Sequence, residues 1–158
     1  MNAVLLAVVL ASSAGAEPAP SDPVFVRLER DGCFGWCPMY AIEITRAGVL
    51  RYDGRRFVKT TGPAERRLSA AQLRALRAAF AHARFEDIDP QCCDCMDYTD
   101  MPTVTVTLTE GGASRTIRDY HGCSATPKRL RTLEDDIDRV VGIDSLIGAP
   151  DDRLPRER

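Results

Sequence analysis

The sequence is poor in lysine and histidine, and no charge of one sign dominates it. Only 2 lysines accompany 19 arginines, there are 2 histidines, and the formal net charge is −2 at pH 7. Nucleic-acid-binding proteins usually carry a clustered basic excess, so this composition does not indicate that class. The chain has a single tryptophan. It has no second long apolar run, so we expect no membrane-spanning segment after the N-terminal region.

The first residues have the pattern of an export signal. Residues 4–11 form a short apolar run, and residues 14–16 have the small-x-small pattern of a cleavage site. We predict a signal peptide over residues 1–16, a Pro-rich linker over residues 17–23, and export to the periplasm or the extracellular space. No stable membrane insertion is expected after cleavage. All six cysteines follow the signal, which in an exported protein predicts a disulfide framework.

Apolar residues with a period of two predict strands. Tyr40, Ile42 and Ile44 alternate with Ala41 and Glu43, and the segment TVTVTLT alternates without a break. The predicted strands cover residues 24–29, 40–45, 49–52, 56–60, 103–109 and 113–120.

Two glycine dipeptides mark the expected bends of the first four strands. Asp53-Gly54 is the favoured dipeptide of a two-residue hairpin, and we place it between the third and fourth strands. Gly62-Pro63 is expected to end the fourth strand.

Two amphipathic helices are predicted. Ser69 and Gln72 have the spacing of a capping box, and an apolar stripe of Leu73, Leu76 and Phe80 follows. The second helix is predicted to start at Thr126 with Pro127 at its first position and to end at Gly142, with Leu130, Leu133, Ile137 and Val140 as its stripe.

The order of these elements, β-β-β-β-α-β-β-α, indicates an α+β fold. We predict an antiparallel sheet of about six strands with both helices packed on one face. One domain is expected over residues 24–143, followed by a disordered tail over residues 144–158, which is charged and contains proline.

The motif Cys33-Phe34-Gly35-Trp36-Cys37-Pro38 allows two interpretations. Exported copper-delivery proteins of the thioredoxin-like class use a C-x-x-x-C-P motif, which suggests thiol–disulfide exchange or Cu(I) binding. In that class, however, the cysteines open a helix, whereas the residues after Pro38 have the period of a strand. We therefore favour a disulfide between Cys33 and Cys37 that closes a turn, with the tip Phe34, Gly35 and Trp36 as a candidate binding surface.

The other four cysteines also allow more than one interpretation. Thiolates and an imidazole can hold zinc tetrahedrally, but the spacing is not that of a known zinc finger, and export favours disulfides. We predict a bond from Cys123 to a cysteine of the long loop and a local Cys92–Cys95 pair. The neighbours Cys92 and Cys93 are not expected to pair, because we expect their side chains to diverge. The weaker alternative is a metal site formed by Cys92, Cys93, Cys95, His121 and Cys123.

Two groups of charged residues suggest weaker candidates. Asp94, Asp97 and Asp100 recur every third residue, which suits calcium, but they lack the EF-hand glycine and glutamate, so an acidic solvated loop is preferred. A basic group near the predicted hairpin suits an anionic polymer, although a solvated sheet face is the commoner outcome: Arg46, Arg51, Arg55, Arg56 and Lys59.

Three motifs occur in order along the chain: Cys33, Phe34, Gly35, Cys37, Pro38 and Tyr40, then Gly48, Tyr52 and Gly54, then Thr99, Asp100, Pro102 and Thr103. Taken together, they resemble an uncharacterised bacterial family of exported proteins, domain-of-unknown-function family 6438. The resemblance covers about residues 24–143 and implies an exported α+β domain without a known activity. It also supports local pairing of Cys33 with Cys37, because the family pattern lacks the other four cysteines.

These observations favour a non-enzymatic binding or structural module of the cell envelope. No Ser–His–Asp or Cys–His arrangement stands out, so we assign no catalytic residue and expect no cofactor. The expected partner is an envelope protein or polymer, not a nucleic acid. The alternative function is that of a thiol–disulfide oxidoreductase or a copper-binding protein that uses Cys33 and Cys37.

Overall fold

A computed structural model describes residues 22–93 and 95–153 of the chain. The predicted signal peptide over residues 1–16, most of the predicted linker and the last five residues lie outside the described residues. Within the described ranges, no helix is long and apolar enough to cross a membrane.

Six antiparallel strands form one sheet in the order β4-β3-β2-β1-β5-β6. This arrangement confirms the predicted α+β fold. The strands are β1 (Val24–Arg30), β2 (Met39–Thr45), β3 (Val49–Arg56), β4 (Gly62–Arg67), β5 (Thr103–Glu110) and β6 (Ala113–Tyr120). The helices are α1 (Ala70–Ala83), α2 (Lys128–Val141) and the short α3 (Asp144–Ile147) and α4 (Pro150–Arg153), and a 3-10 turn spans Phe85–Asp87.

The core lies between one face of the sheet and the two long helices. Because side chains alternate along a strand, residues paired across neighbouring strands share a face. The middle row of the inner face is apolar across five strands: Tyr52, Ile42, Leu28, Val106 and Ile117. The helices cover this row with Leu76 and Phe80 of α1 and with Leu130, Leu133 and Ile137 of α2.

Local sequence explains where α1 begins and where α2 begins and ends. Ser69 caps α1, and the predicted capping box with Gln72 is present. Helix α2 starts at Lys128, and Pro127, the predicted first helical residue, lies in the capping position. The hydroxyl of Thr126 donates to Asp119 Oδ1 at 2.7 Å, so it is not free to begin the helix. Gly142 adopts a left-handed conformation and ends α2, as predicted.

The predicted Asp53-Gly54 hairpin is wrong. Strand β3 continues through both residues to Arg56, and β4 is Gly62–Arg67, where the sequence indicated a break. Gly54 is needed for a close approach, because a Cβ atom there would lie 2.1 Å from the carbonyl oxygen of Thr60. Pro63 is tolerated because β4 is an edge strand.

The predicted disordered tail is also wrong for its first residues. Helix α3 packs on the β3–β4 connection, where the backbone nitrogens of Lys59 and Thr60 donate to the carbonyl oxygens of Ile147 and Leu146 at 3.0 and 2.9 Å. Ile147 is buried. The fold therefore extends past the predicted boundary at residue 143, because two apolar side chains at positions 146 and 147 join the core.

Candidate functional site

The Cys33–Cys37 pair closes the loop between β1 and β2. The two Cα atoms lie 5.7 Å apart, and the sulfurs are at disulfide distance. Strand β2 begins at Met39, directly after Pro38. A strand therefore occupies the place where the thioredoxin-like class has a thiol-activating helix. The motif is a stapled turn that leads into a strand, as its sequence pattern predicts.

Backbone hydrogen bonds join this turn to the long loop before β5. The backbone nitrogen of Asp31 donates to the carbonyl oxygen of Thr103 at 2.9 Å, and that of Phe34 donates to the carbonyl oxygen of Asp100 at 3.1 Å. The two loops thus lie side by side at one end of the sheet.

A second cysteine pair anchors the long loop. Cys95 and Cys123 lie at disulfide distance with their Cα atoms 5.1 Å apart. This confirms the predicted link between Cys123 and a cysteine of the loop. Asp97 strengthens the anchor by accepting hydrogen bonds from the hydroxyl and the backbone nitrogen of Ser124, and these bonds lower the pKa of Asp97. Asp94 of the calcium hypothesis lies outside the described residues.

The third pair corrects the sequence-based assignment. Cys92 pairs with its neighbour Cys93, not with Cys95. The two residues lie in a turn in which the backbone nitrogen of Cys92 donates to the carbonyl oxygen of Asp89 at 3.0 Å. The turn brings the two side chains together, whereas an extended chain would point them apart. All six cysteines are paired, so none has a free thiolate for the zinc site considered above.

Large exposed hydrophobic side chains gather on the two adjoining loops. All five such side chains in the described part of the chain lie there, and Phe34 is 88% exposed. We call this set the apolar loop surface: Phe34, Trp36, Met96, Tyr98 and Met101. Isolated exposed apolar residues are common, but five of them on two adjoining loops are the kind of feature that marks an interaction site.

The backbone beneath the apolar loop surface is held in place. Tyr98 N donates to the carbonyl oxygen of Gly122, and the hydroxyl of Tyr120 donates to the carbonyl oxygen of Tyr98 at 3.0 Å. Trp36 packs edge to face on Phe57 of the β3–β4 connection, with ring centroids 5.0 Å apart. The exposed side chains thus project from a fixed scaffold.

The outer face of the sheet carries alternating charges. Arg27 pairs with Glu43 at 2.6 Å, Arg51 lies 3.6 Å from Glu65, and Arg55 pairs with Glu29. Arg46 donates to a backbone carbonyl of β5. Arg46, Arg51 and Arg55 of the basic group therefore contact carboxylate or carbonyl oxygens, and the guanidinium of Arg56 lies 4.7 Å from the ring centroid of Phe57.

His121 faces carboxylates and not the cysteines of the predicted metal alternative. Its Nε2 atom lies 2.9 Å from Oε2 of Glu134 in α2 and 3.6 Å from Oδ2 of Asp119 at the end of β6. Both carboxylates are almost completely buried, and His121 is 22% exposed.

Further ion pairs surround this group. Arg30 contacts Asp138 of α2 at 2.7 Å, and Arg131 Nε lies 3.3 Å from Asp119 Oδ2. Burial raises the pKa of Glu134, although the hydrogen bond from His121 opposes the rise. Burial also raises the pKa of Asp138, and Arg30 opposes that rise. The cluster fixes the end of the sheet against α2.

This cluster was missed at the level of sequence. The available signal was the position of Glu134, which lies four residues after Leu130 and three before Ile137, on the apolar stripe of α2. Asp119 likewise lies two residues after the buried Ile117 on the inner face of β6. A charged residue on a buried stripe needs a partner, and each of these two has one.

A cavity of about 420 Å³ lies at the opposite end of the sheet. Its walls include Phe25, Phe80, Phe85 and Leu108, and the guanidinium of Arg77 lies 5.3 Å from the ring centroid of Phe25. The cavity lies between α1 and the sheet, and its aromatic walls belong to the core. It shares no residue with the apolar loop surface.

One comparison with known families gives a match. A sequence-family model described as a domain of unknown function, DUF6438, matches residues 24–141, which is most of the described fold. No curated protein matches the chain.

Proposed function

We propose that this protein, which belongs to the domain family of unknown function DUF6438, is a non-enzymatic exported module that binds a protein or polymer of the cell envelope. The binding surface is the apolar loop surface. One observation carries this proposal: all five exposed large hydrophobic side chains of the described residues lie on two adjoining loops.

The composition and anchoring of this surface suit binding. Aromatic residues and methionine are enriched at the cores of protein interfaces, and here they are Phe34, Trp36, Met96, Tyr98 and Met101. The Cys33–Cys37 pair closes the first loop, and the Cys95–Cys123 pair anchors the second. A backbone that is already ordered loses less entropy when a partner binds, so the anchoring favours affinity.

The three cysteine pairs support the proposed export. Disulfides persist in oxidising compartments and are rare in the cytosol. If residues 1–16 are removed as a signal peptide, the intact mass of the protein recovered from the envelope fraction corresponds to a chain that starts at Glu17. A full-length mass in that fraction would contradict cleavage after Ala16.

The alternative, a thiol oxidoreductase or copper-binding protein, has less support. It needs a group that activates a thiol of the motif, such as a helix N-terminus, whereas a strand begins at Met39 directly after Cys37 and Pro38. The sheet face that carries alternating ion pairs gives no comparable concentration of exposed apolar area.

The binding proposal is tested by comparing variants on isolated envelope fractions. The double variant Phe34→Ser/Tyr98→Ser removes two highly exposed rings, which are 88% and 65% exposed, and leaves the core untouched. The control variant Arg74→Ser changes an exposed residue of α1. We expect the double variant to lose binding and the control to retain it. Equal retention of all three proteins would contradict a role for this surface.

A further inference from the structure

Three side chains of metal-binding type converge where the end of β6 meets α2. His121 Nε2 lies 2.9 Å from Glu134 Oε2 and 3.6 Å from Asp119 Oδ2, and the three ligand atoms all lie within 4.8 Å of one another. In a tetrahedral site with bonds of about 2.0 Å, neighbouring ligand atoms lie about 3.3 Å apart. The two measured distances lie on either side of that value.

One carboxylate oxygen in this group has no partner. Glu134 is 1% exposed, and its Oε1 atom is buried without a hydrogen bond, while Oε2 of the same group contacts His121. A buried carboxylate oxygen without a partner is costly. This oxygen therefore indicates that an additional group belongs beside Glu134.

The other carboxylate is already oriented by its neighbours. Thr126 donates to Asp119 Oδ1 at 2.7 Å, and Arg131 Nε lies 3.3 Å from Oδ2. Arg131 also donates to the carbonyl oxygens of His121 and Cys123. Metal-binding side chains are commonly fixed in this way by a surrounding layer of hydrogen bonds, which sets the direction of each ligand atom.

We propose that Asp119, His121 and Glu134 bind one divalent transition-metal ion, of which Zn²⁺ is the test case. The set of one imidazole and two carboxylates suits a first-row divalent cation. A bound ion links β6 to α2, and coordination by both oxygens of Glu134 supplies the partner that Oε1 lacks. This site shares no residue with the apolar loop surface.

The cysteines do not compete for this ion. The second group of potential ligands in the described residues consists of Cys95, Asp97 and Cys123, but its two sulfurs are bonded to each other. The site in the charge cluster therefore uses nitrogen and oxygen atoms only, and it is compatible with an oxidising compartment.

The test uses the chain without a histidine tag, treated with chelator, dialysed and titrated with ZnCl₂. We expect binding of one Zn²⁺ per chain by calorimetry. The chain has 2 histidines, so ¹⁵N imidazole spectra distinguish them. Zinc should shift the signals of His121 and leave those of His82, which is exposed on α1, unchanged.

Matched variants assign the ligands. Glu134→Gln should weaken zinc binding by more than about tenfold. Asp135→Asn, one position further along the helix at an 83% exposed carboxylate, should leave it within about twofold. Circular dichroism establishes first that each variant is folded, and the wild-type histidine spectra test the proposal without any substitution. Absence of stoichiometric binding, a shift confined to His82, or equal losses in the two variants would overturn it.

Discussion

His121 Nε2 lies 2.9 Å from Oε2 of Glu134, a carboxylate that is 1% exposed in the middle of α2. Replacing His121 by alanine leaves this carboxylate buried without a hydrogen-bond partner. Breaking a buried charge pair from one side commonly costs about 3–5 kcal/mol. We expect His121→Ala to lower the free energy of unfolding by about 3 kcal/mol, measured by urea unfolding in the presence of EDTA.

A second substitution separates this cause from a general loss of packing. Glu134→Leu restores an apolar residue to the stripe of α2 and removes the carboxylate. The double variant His121→Ala/Glu134→Leu should therefore recover most of the lost stability. If the double variant were less stable than His121→Ala alone, the buried carboxylate would not be the cause.

The raised pKa of Tyr52 predicts that the protein loses stability at alkaline pH. Its hydroxyl donates to the carbonyl oxygen of Thr60 at 3.0 Å, and burial, with a smaller contribution from Asp53, raises its pKa to about 12. In the unfolded chain a tyrosine ionises near pH 10. Above about pH 10, ionisation therefore stabilises the unfolded state, whereas the folded state keeps Tyr52 protonated.

The contribution of Tyr52 is therefore complete below about pH 10 and is lost as the pH rises towards 12. The measurement is urea unfolding of the wild type and Tyr52→Phe between pH 8 and 11. Wild-type stability should fall more steeply than that of the variant at the alkaline end. Parallel curves would show that Tyr52 is not protected from ionisation.

The close packing around Gly54 in β3 leaves no room for a side chain at this position. A Cβ atom at this position would lie 2.1 Å from the carbonyl oxygen of Thr60 and 2.6 Å from the hydroxyl of Tyr52. Gly54→Ala should lower the free energy of unfolding by about 3 kcal/mol, at the upper end of overpacking effects. Thermal unfolding measures the effect.

Gly32 is the matched control for this steric prediction. A Cβ atom at Gly32 meets only the flexible side chain of Met39, with the sulfur at 3.1 Å. Gly32→Ala is therefore expected to change stability by less than about 1 kcal/mol. Similar losses in both variants would mean that the cause is general and not the close approach at Gly54.

The cysteine pairs predict a ranking of stability effects. Cys95 and Cys123 are 28 residues apart, whereas Cys33 and Cys37 are 4 apart. On chain-entropy grounds, removing the first pair costs about 3.6 kcal/mol and removing the second about 2 kcal/mol. The double serine variants, compared by urea unfolding, should therefore differ in this order. The reverse order would contradict the loop-closure account.

The predictable parts of the fold were those with an unbroken local pattern. Alternation in TVTVTLT identified β5, and the stripe with the Ser69–Gln72 capping box identified α1. The β3–β4 hairpin was misplaced because Asp53-Gly54 is a common turn dipeptide, whereas Gly54 is required by the approach of Thr60. That approach depends on tertiary contacts, which a local pattern does not contain.

In the candidate sites, too, local patterns identified some residues, and tertiary contacts bring in the others. Phe34 and Trp36 were identified because cysteines bracket them, but Met96, Tyr98 and Met101 join them only when the two loops meet. The partners of His121 were missed because Asp119 and Glu134 lie in different elements, 15 residues apart in the chain, and a local pattern does not show that the two elements meet at His121.

The central claim is that the apolar loop surface binds an envelope partner. It is tested most directly by placing a photo-crosslinking amino acid at Phe34 and, as a control, at the exposed Arg74 of α1. We expect a discrete crosslinked product in the envelope from position 34 and none from position 74. No product at position 34, or the same product from both positions, would contradict the claim.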